Sequence, residues 1–216
     1  MMTQNQINSF SLQFITHTNE RLDYYNSALK ALEGGCQWIQ LRMKNHTPDE
    51  VASVAERLVP ICHDYGAVFI IDDHVEVCQR VGADGVHLGK NDMNPAEARD
   101  ILGPKFIIGG TCNTFDDIVA VKDSVDYVGV GPFRFTTTKE KLSPVLGLDG
   151  YRSIVWKCRE KSINLPIVAI GGIKESDVVD ILDAGPNGIA ISGTIMNAED
   201  PVAKTNELVR MTNRYF

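Results

Sequence analysis

No CxxC pair, no run of five basic residues, no apolar stretch of about 18 residues and no Gly/Ser-rich linker occurs in this 216-residue chain. Each absence removes a class. Five cysteines stand at positions 36, 62, 78, 112 and 158, an odd number without paired spacing. That pattern excludes a zinc ribbon and a disulfide framework, and it predicts buried free thiols in a reducing cytoplasm. Positive charge is also scarce: 21 Lys and Arg face 28 Asp and Glu, for a formal charge of −7. A nucleic-acid or membrane-surface protein usually shows a basic footprint, so neither partner is expected. Without a long apolar run, no membrane-spanning helix is expected. Met1–Phe10 is polar and lacks the basic start and apolar centre of a secretory signal. We read 1–10 as a flexible extension before one domain and expect a cytoplasmic protein. A homo-oligomer stays open.

What is present is alternation. Short apolar runs recur at Leu12–Thr16, Trp38–Arg42, Val68–Asp72, Gly85–Leu88, Phe106–Gly109, Tyr127–Val130, Ile167–Ile170 and Gly188–Ser192. Amphipathic stretches lie between them. In Pro48–Tyr65, for example, Val51, Ala55, Leu58, Val59 and Cys62 recur at steps of three and four. Thr47–Pro48 and Asn94–Pro95 each place an N-cap residue before a favoured first-turn proline. Strands apolar on both faces suit a parallel sheet covered by helices. Eight strand–helix units in 216 residues predict a single-domain (β/α)8 TIM barrel, with an open doubly wound sheet as the alternative.

In such a barrel, chemistry sits where strands end. After the second run, Gln40, Arg42 and Lys44 share one face, because side chains alternate along a strand. Burying this basic set demands an anion, either an internal carboxylate or a phosphate-type ligand. The third run ends in Asp72-Asp73-His74 and the fourth leads through His87 to Asp92. Neighbouring strands bring Asp73 and Asp92 face to face. They read equally as Mg2+ ligands or as caps of the following helices. His74 and His87 lack zinc-ligand spacing, and His87 reads as a hydrogen-bonded barrel lining. The sixth run opens into a loop carrying Thr136, Thr137, Thr138 and Lys139, either a donor-rich site or a solvated surface loop. Gly171-Gly172 and Ser192-Gly193 close the seventh and eighth runs, where barrels often cradle a phosphate on backbone amides. Tight turns alone are the other reading. Two anion sites suggest group transfer between two phosphorylated small molecules.

The motifs QLRMK (40–44), IDDH (71–74), ADGVHLGKND (83–92), IIGGT (107–111), DYVGVGPFRFTTTK (126–139), VAIGGI (168–173) and GIAISGTI (188–195) together resemble the thiamine phosphate synthase family over nearly the whole chain. The resemblance implies joining 4-amino-2-methyl-5-hydroxymethylpyrimidine diphosphate to 4-methyl-5-hydroxyethylthiazole phosphate, with one Mg2+ and release of pyrophosphate. It assigns Gln40, Arg42, Lys44, Asp72, Thr111 and Lys139 to the pyrimidine diphosphate. Thr136, Thr138, Gly172, Ser192 and Gly193 go to the thiazole phosphate. Asp73 and Asp92 become metal ligands, while Arg42, Lys44 and Lys139 assist departure of the diphosphate. Asp72 stands where the family commonly has Asn. A thiazole tautomerase-like branch of the same barrels and a non-catalytic precursor-binding barrel are the rivals. The full basic set and the paired aspartates favour the synthase.

Overall fold

The computed structural model describes residues 11–135 and 144–215. Eight parallel strands close into a barrel in chain order: β1 (Leu12–Ile15), β2 (Trp38–Leu41), β3 (Val68–Asp72), β4 (Gly85–Leu88), β5 (Ile107–Cys112), β6 (Tyr127–Val130), β7 (Ile167–Ile170) and β8 (Gly188–Ile191). The sheet has no free edge, because β1 pairs with β8 as well as with β2. The eight apolar runs are therefore the eight strands. The one sizeable difference is β5, which continues to Cys112, past its apolar run. Backbone pairing of Thr111 with Gly129 and of Cys112 with Val130 extends it, and no side-chain hydrophobicity is needed for that.

Helices cover the outside: α1 (Tyr24–Glu33), α2 (Pro48–Asp64), α3 (Val75–Val81), α4 (Pro95–Leu102), α5 (Phe115–Val121), α6 (Gly147–Glu160), α7 (Val178–Asp183), the single turn α8 (Gly193–Met196) and α9 (Pro201–Thr212). Local sequence starts them. Thr47 accepts the Glu50 N–H while Glu50 reaches back to the Thr47 N–H, and Pro48 occupies the first turn of α2. Asn94 caps α4 without a reciprocal bond, its side chain accepting from the Ala96 N–H at 2.9 Å, and Pro95 occupies the first turn.

Alternation splits the apolar residues into two cores. Ile39, Leu41 and Met43 face the helices, with Phe69, Ile71, Val86, Leu88, Ile108, Val128 and Ala169. A smaller cluster fills the barrel itself: Ile15, Trp38, Ile70, Ile107, Tyr127, Val168 and Ala190. Trp38 and Tyr127 meet edge-to-face there, with ring centroids 4.8 Å apart, and both are fully buried. This floor plugs the barrel, so polar side chains one step further along the same strand faces line its C-terminal mouth. All five cysteines are free and buried between strands and helices. Burial pushes the thiols of Cys62, Cys78 and Cys112 up to about 12, so they are inert as nucleophiles. Among the described residues, no helix is long and apolar enough to cross a membrane. Residues 1–10 lie outside the described residues.

Candidate active site

Strand parity decides what reaches the mouth. Gln40 sits two positions above Trp38 on the inward face of β2, and Arg42 two above that. Gln40 is buried, and its Nε2 donates to Asp72 Oδ1 at 3.2 Å. Arg42 Nε lies 3.3 Å from Asp72 Oδ2, and the Arg42 backbone N–H donates to Thr16 Oγ1 at 3.0 Å. Asp72 thus fixes both basic-face residues. One edge of the guanidinium is satisfied internally, as the ion-pair reading expects. The other is not: Arg42 Nη2 is buried and finds no acceptor among the described residues. A buried unpaired charged donor is costly, so this nitrogen calls for an anionic partner beyond the described residues.

Asp73 follows directly, with φ of +68°. That left-handed conformation is uncommon outside glycine, although Asp tolerates it better than most residues. It is held by the Asp73 N–H donating to the His87 carbonyl at 2.9 Å. The Asp73 carboxyl is thereby turned onto Asp92. Burial, then the hydrogen bond to and charge of Asp92, push Asp73 up to about 6, while Lys44 and Arg42 pull it back. The two carboxyls, Lys44 and Arg42 therefore share one electrostatic neighbourhood. Asp92 reaches this position because its chain folds back, Oδ2 accepting the Gly89 N–H at 2.6 Å. A Cβ on Gly89 would sit 2.6 Å from the same oxygen, so a side chain there would push the Asp92 carboxyl out of this position. The helix-cap alternative fails for both aspartates. Asn94 caps α4, and His74 occupies the N-cap position of α3 without a side-chain bond.

The carboxylate pair fits a divalent cation. Two acidic oxygens pressed together in a half-buried site favour either a shared proton or a cation between them. No cluster of three or more His, Cys, Asp or Glu ligands occurs among the described residues. Mg2+ commonly takes only one or two carboxylates and completes its shell with phosphate oxygens and water.

Across the mouth, β7 and β8 present backbone. Gly171 and Gly172 have φ of +103° and +67°, a turn that side chains rarely allow. Arg134 Nη1 donates to the Gly172 carbonyl at 3.0 Å and to Asp177 at 2.7 Å, locking the turn beneath the Phe133–Phe135 segment. Ser192 Oγ is buried without a hydrogen-bond partner among the described residues, beside the exposed Gly193 that opens α8. Thr194 Oγ1 donates to the Ile173 carbonyl at 2.6 Å and ties the two loops together. Thr111 sits between the halves, on the inward face of β5, where its Oγ1 meets His87 Nε2 at 3.0 Å. Thr136, Thr138 and Lys139 lie outside the described residues.

Sequence reasoning missed Thr16, Gln13 and Tyr127 as polar supports of this mouth. Their signal was available: each stands on the inward parity, or at the C-terminal end, of an otherwise apolar run.

The architecture is that of a (β/α)8-barrel enzyme, with Arg42 and the paired aspartates on one side of its mouth and the glycine turn after β7 on the other. Comparison with known proteins narrows it. The family model of thiamine monophosphate synthase matches residues 12–195, and the chain belongs to this family of transferases in thiamine biosynthesis. A thiamine-phosphate synthase of Phocaeicola vulgatus is 60% identical over 201 residues, covering 93% of this chain and 97% of its own. Its counterpart in Bacteroides thetaiotaomicron is 56% identical over 202 residues, covering 93% and 97%. Among solved structures, thiamine phosphate pyrophosphorylase from Pyrococcus furiosus superposes with a TM-score of 0.87 at 34% identity, over 98% of this chain and 100% of that one.

Proposed function

We propose that the chain condenses 4-amino-2-methyl-5-hydroxymethylpyrimidine diphosphate with 4-methyl-5-hydroxyethylthiazole phosphate, giving thiamine phosphate and pyrophosphate. The observation that carries this reading is the buried, half-paired guanidinium of Arg42 set beside the Asp73–Asp92 pair. A cationic edge next to a dicarboxylate suits a metal-bound diphosphate. It does not suit a bare monophosphate, which two carboxylates would repel.

Asp73 and Asp92 would hold Mg2+, which when bound supplies positive charge to the diphosphate. Arg42 binds the diphosphate oxygens through Nη2, with Asp72 orienting it through Nε. Lys44 adds a second cationic contact at the rim, and Lys139 is assigned the same task by family resemblance. These cations stabilise charge that grows as the methylene C–O bond breaks and the diphosphate departs with the electron pair. The Gly172 turn, Ser192 Oγ and the Gly193 N–H hold the thiazole phosphate, with Thr136 and Thr138 assigned there by resemblance. So held, the thiazole nitrogen faces the pyrimidine methylene carbon and donates its lone pair to form the new C–N bond. Fixing both partners at one rim supplies much of the rate advantage.

The test is incubation with both precursors, with and without Mg2+, following pyrophosphate and thiamine phosphate. Equimolar formation of the two, lost with chelator and restored by Mg2+, is expected. Metal-independent isomerisation of the thiazole phosphate, or binding of both precursors without release of pyrophosphate, overturns the reading.

A further inference from the structure

Beneath the mouth runs a buried polar chain that the proposed chemistry does not use. Gln13 on β1, Tyr127 on β6 and His87 on β4 all point into the barrel, and Tyr127 is itself part of the barrel floor. Gln13 Nε2 donates to the Tyr127 hydroxyl at 3.3 Å, and that hydroxyl lies 3.0 Å from His87 Nδ1. His87 Nε2 then lies 3.0 Å from Thr111 Oγ1. Gln13, Tyr127 and His87 are all buried. Backbone has been cleared for them. A Cβ on Gly109 would overlap the Tyr127 ring and sit 2.5 Å from His87 Nδ1, and one on Gly129 would sit 3.1 Å from His87 Cε1. Two strands therefore give up side chains at the inward positions flanking this pair. A space-filling core would have no need of that.

One of the two directions in which protons can run along this chain ends at Thr111. Burial holds the Tyr127 phenol well above its usual range, so it keeps its single proton. Its oxygen accepts from the Gln13 amide, and a phenol proton directed at His87 Nδ1 is one of the two arrangements that the 3.0 Å contact allows. A neutral imidazole that accepts at Nδ1 carries its hydrogen on Nε2. In that arrangement Nε2–H donates to Thr111 Oγ1 across the 3.0 Å contact. Thr111 Oγ1 makes no other hydrogen bond among the described residues, so in that arrangement its own proton remains to be given.

We propose that Gln13, Tyr127 and His87 are positioning residues forming a one-way hydrogen-bond relay that presents the Thr111 hydroxyl as a donor into the mouth, where it selects an acceptor heteroatom such as a pyrimidine ring nitrogen. The inference rests on the proposed function only for the identity of that heteroatom. The direction of the relay is a property of the free protein. Thr111 touches the ligand, and the other three act through it.

The relay is tested first without substrate, by 15N NMR of the imidazoles in the whole chain. His87 should be the Nε2–H tautomer, and Tyr127→Phe, which keeps the ring packed on Trp38, should shift it toward the other tautomer. Nδ1–H in the wild type overturns the relay whatever the activity proves to be. Kinetics follow. Thr111→Val and Tyr127→Phe should each raise KM for the pyrimidine diphosphate about tenfold and leave KM for the thiazole phosphate within about twofold. Thr111→Ser should restore the wild-type value. In the Thr111→Val background, Tyr127→Phe should add nothing. Independent, additive effects would show a merely structural network and refute the proposal. Absence of condensation by the wild type, with the His87 tautomer as expected, would sink the proposed function and leave the relay standing.

Discussion

The Asp73 carboxyl makes a quantitative prediction about stability. It is held up to about 6 against an ordinary value of 3.8, chiefly by burial and then by Asp92. Between these values the folded chain binds a proton that the unfolded chain does not, so stability falls as pH rises from about 4 to about 6. Above pH 6 the penalty is fully present. At about 1.4 kcal/mol per tenfold, the gap corresponds to roughly 3 kcal/mol, and screening in a half-open site reduces it to about 1–2 kcal/mol. Replacing Asp73 with Asn removes the charge and keeps the shape. Asn also tolerates the positive φ, and its amide can donate to Asp92. In EDTA at pH 8, Asp73→Asn should melt about 3–6 °C above wild type, since 1 kcal/mol moves Tm by about 2–4 °C in a domain of this size. At pH 4 the gain should vanish, because wild-type Asp73 is then protonated as well. Mg2+ should raise the wild-type Tm at pH 8 and leave the variant nearly unchanged, while condensation activity is lost in the variant. Melting curves at both pH values, with and without Mg2+, decide the matter. A variant less stable than wild type at pH 8 in EDTA, or a gain persisting at pH 4, would refute the electrostatic reasoning.

Other substitutions probe the remaining parts. Arg42→Lys gives up both the Asp72 contact at 3.3 Å and the buried Nη2, and kcat/KM should fall by about 10–100-fold with Tm little changed. An unaltered kcat/KM would remove Arg42 from the diphosphate site. Gly109→Ala forces a Cβ into the Tyr127 ring and should cost about 1–3 kcal/mol in urea unfolding, with a neutral result contradicting the tight floor. Arg134→Met opens the clamp on Gly172 and Asp177 and should raise KM for the thiazole phosphate several-fold while sparing that for the pyrimidine diphosphate. Equal effects on both substrates would show that the two halves of the rim are not separate sites.

Much of the fold and part of the site are legible in the amino-acid sequence. The eight apolar runs mark all eight strands, because a parallel sheet buried on both faces leaves an uninterrupted hydrophobic record. Alternation along Trp38–Lys44 correctly sets Gln40 and Arg42 inward and Ile39, Leu41 and Met43 outward. The bounds of β5 are less legible, since Gly110 and Thr111 are held by ladder bonds that hydrophobicity does not report. Nor can pattern choose between cap and metal ligand for Asp92. Both readings need a carboxylate near a helix start, and the backbone geometry, with Asn94 capping and Asp92 folded onto Gly89, removes the cap reading.

The sequence by itself determined the order of the elements, the inward and outward faces of the strands and the polar types gathered at their ends, because these follow from local periodicity and chain chemistry. Tertiary structure alone decided which of those groups meet. Asp72 came to Arg42, Asp73 to Asp92, and Gln13 to Tyr127 across 114 residues of chain. Closing the barrel fixes those distances through inter-strand register, and register is a relation between segments that no single segment encodes.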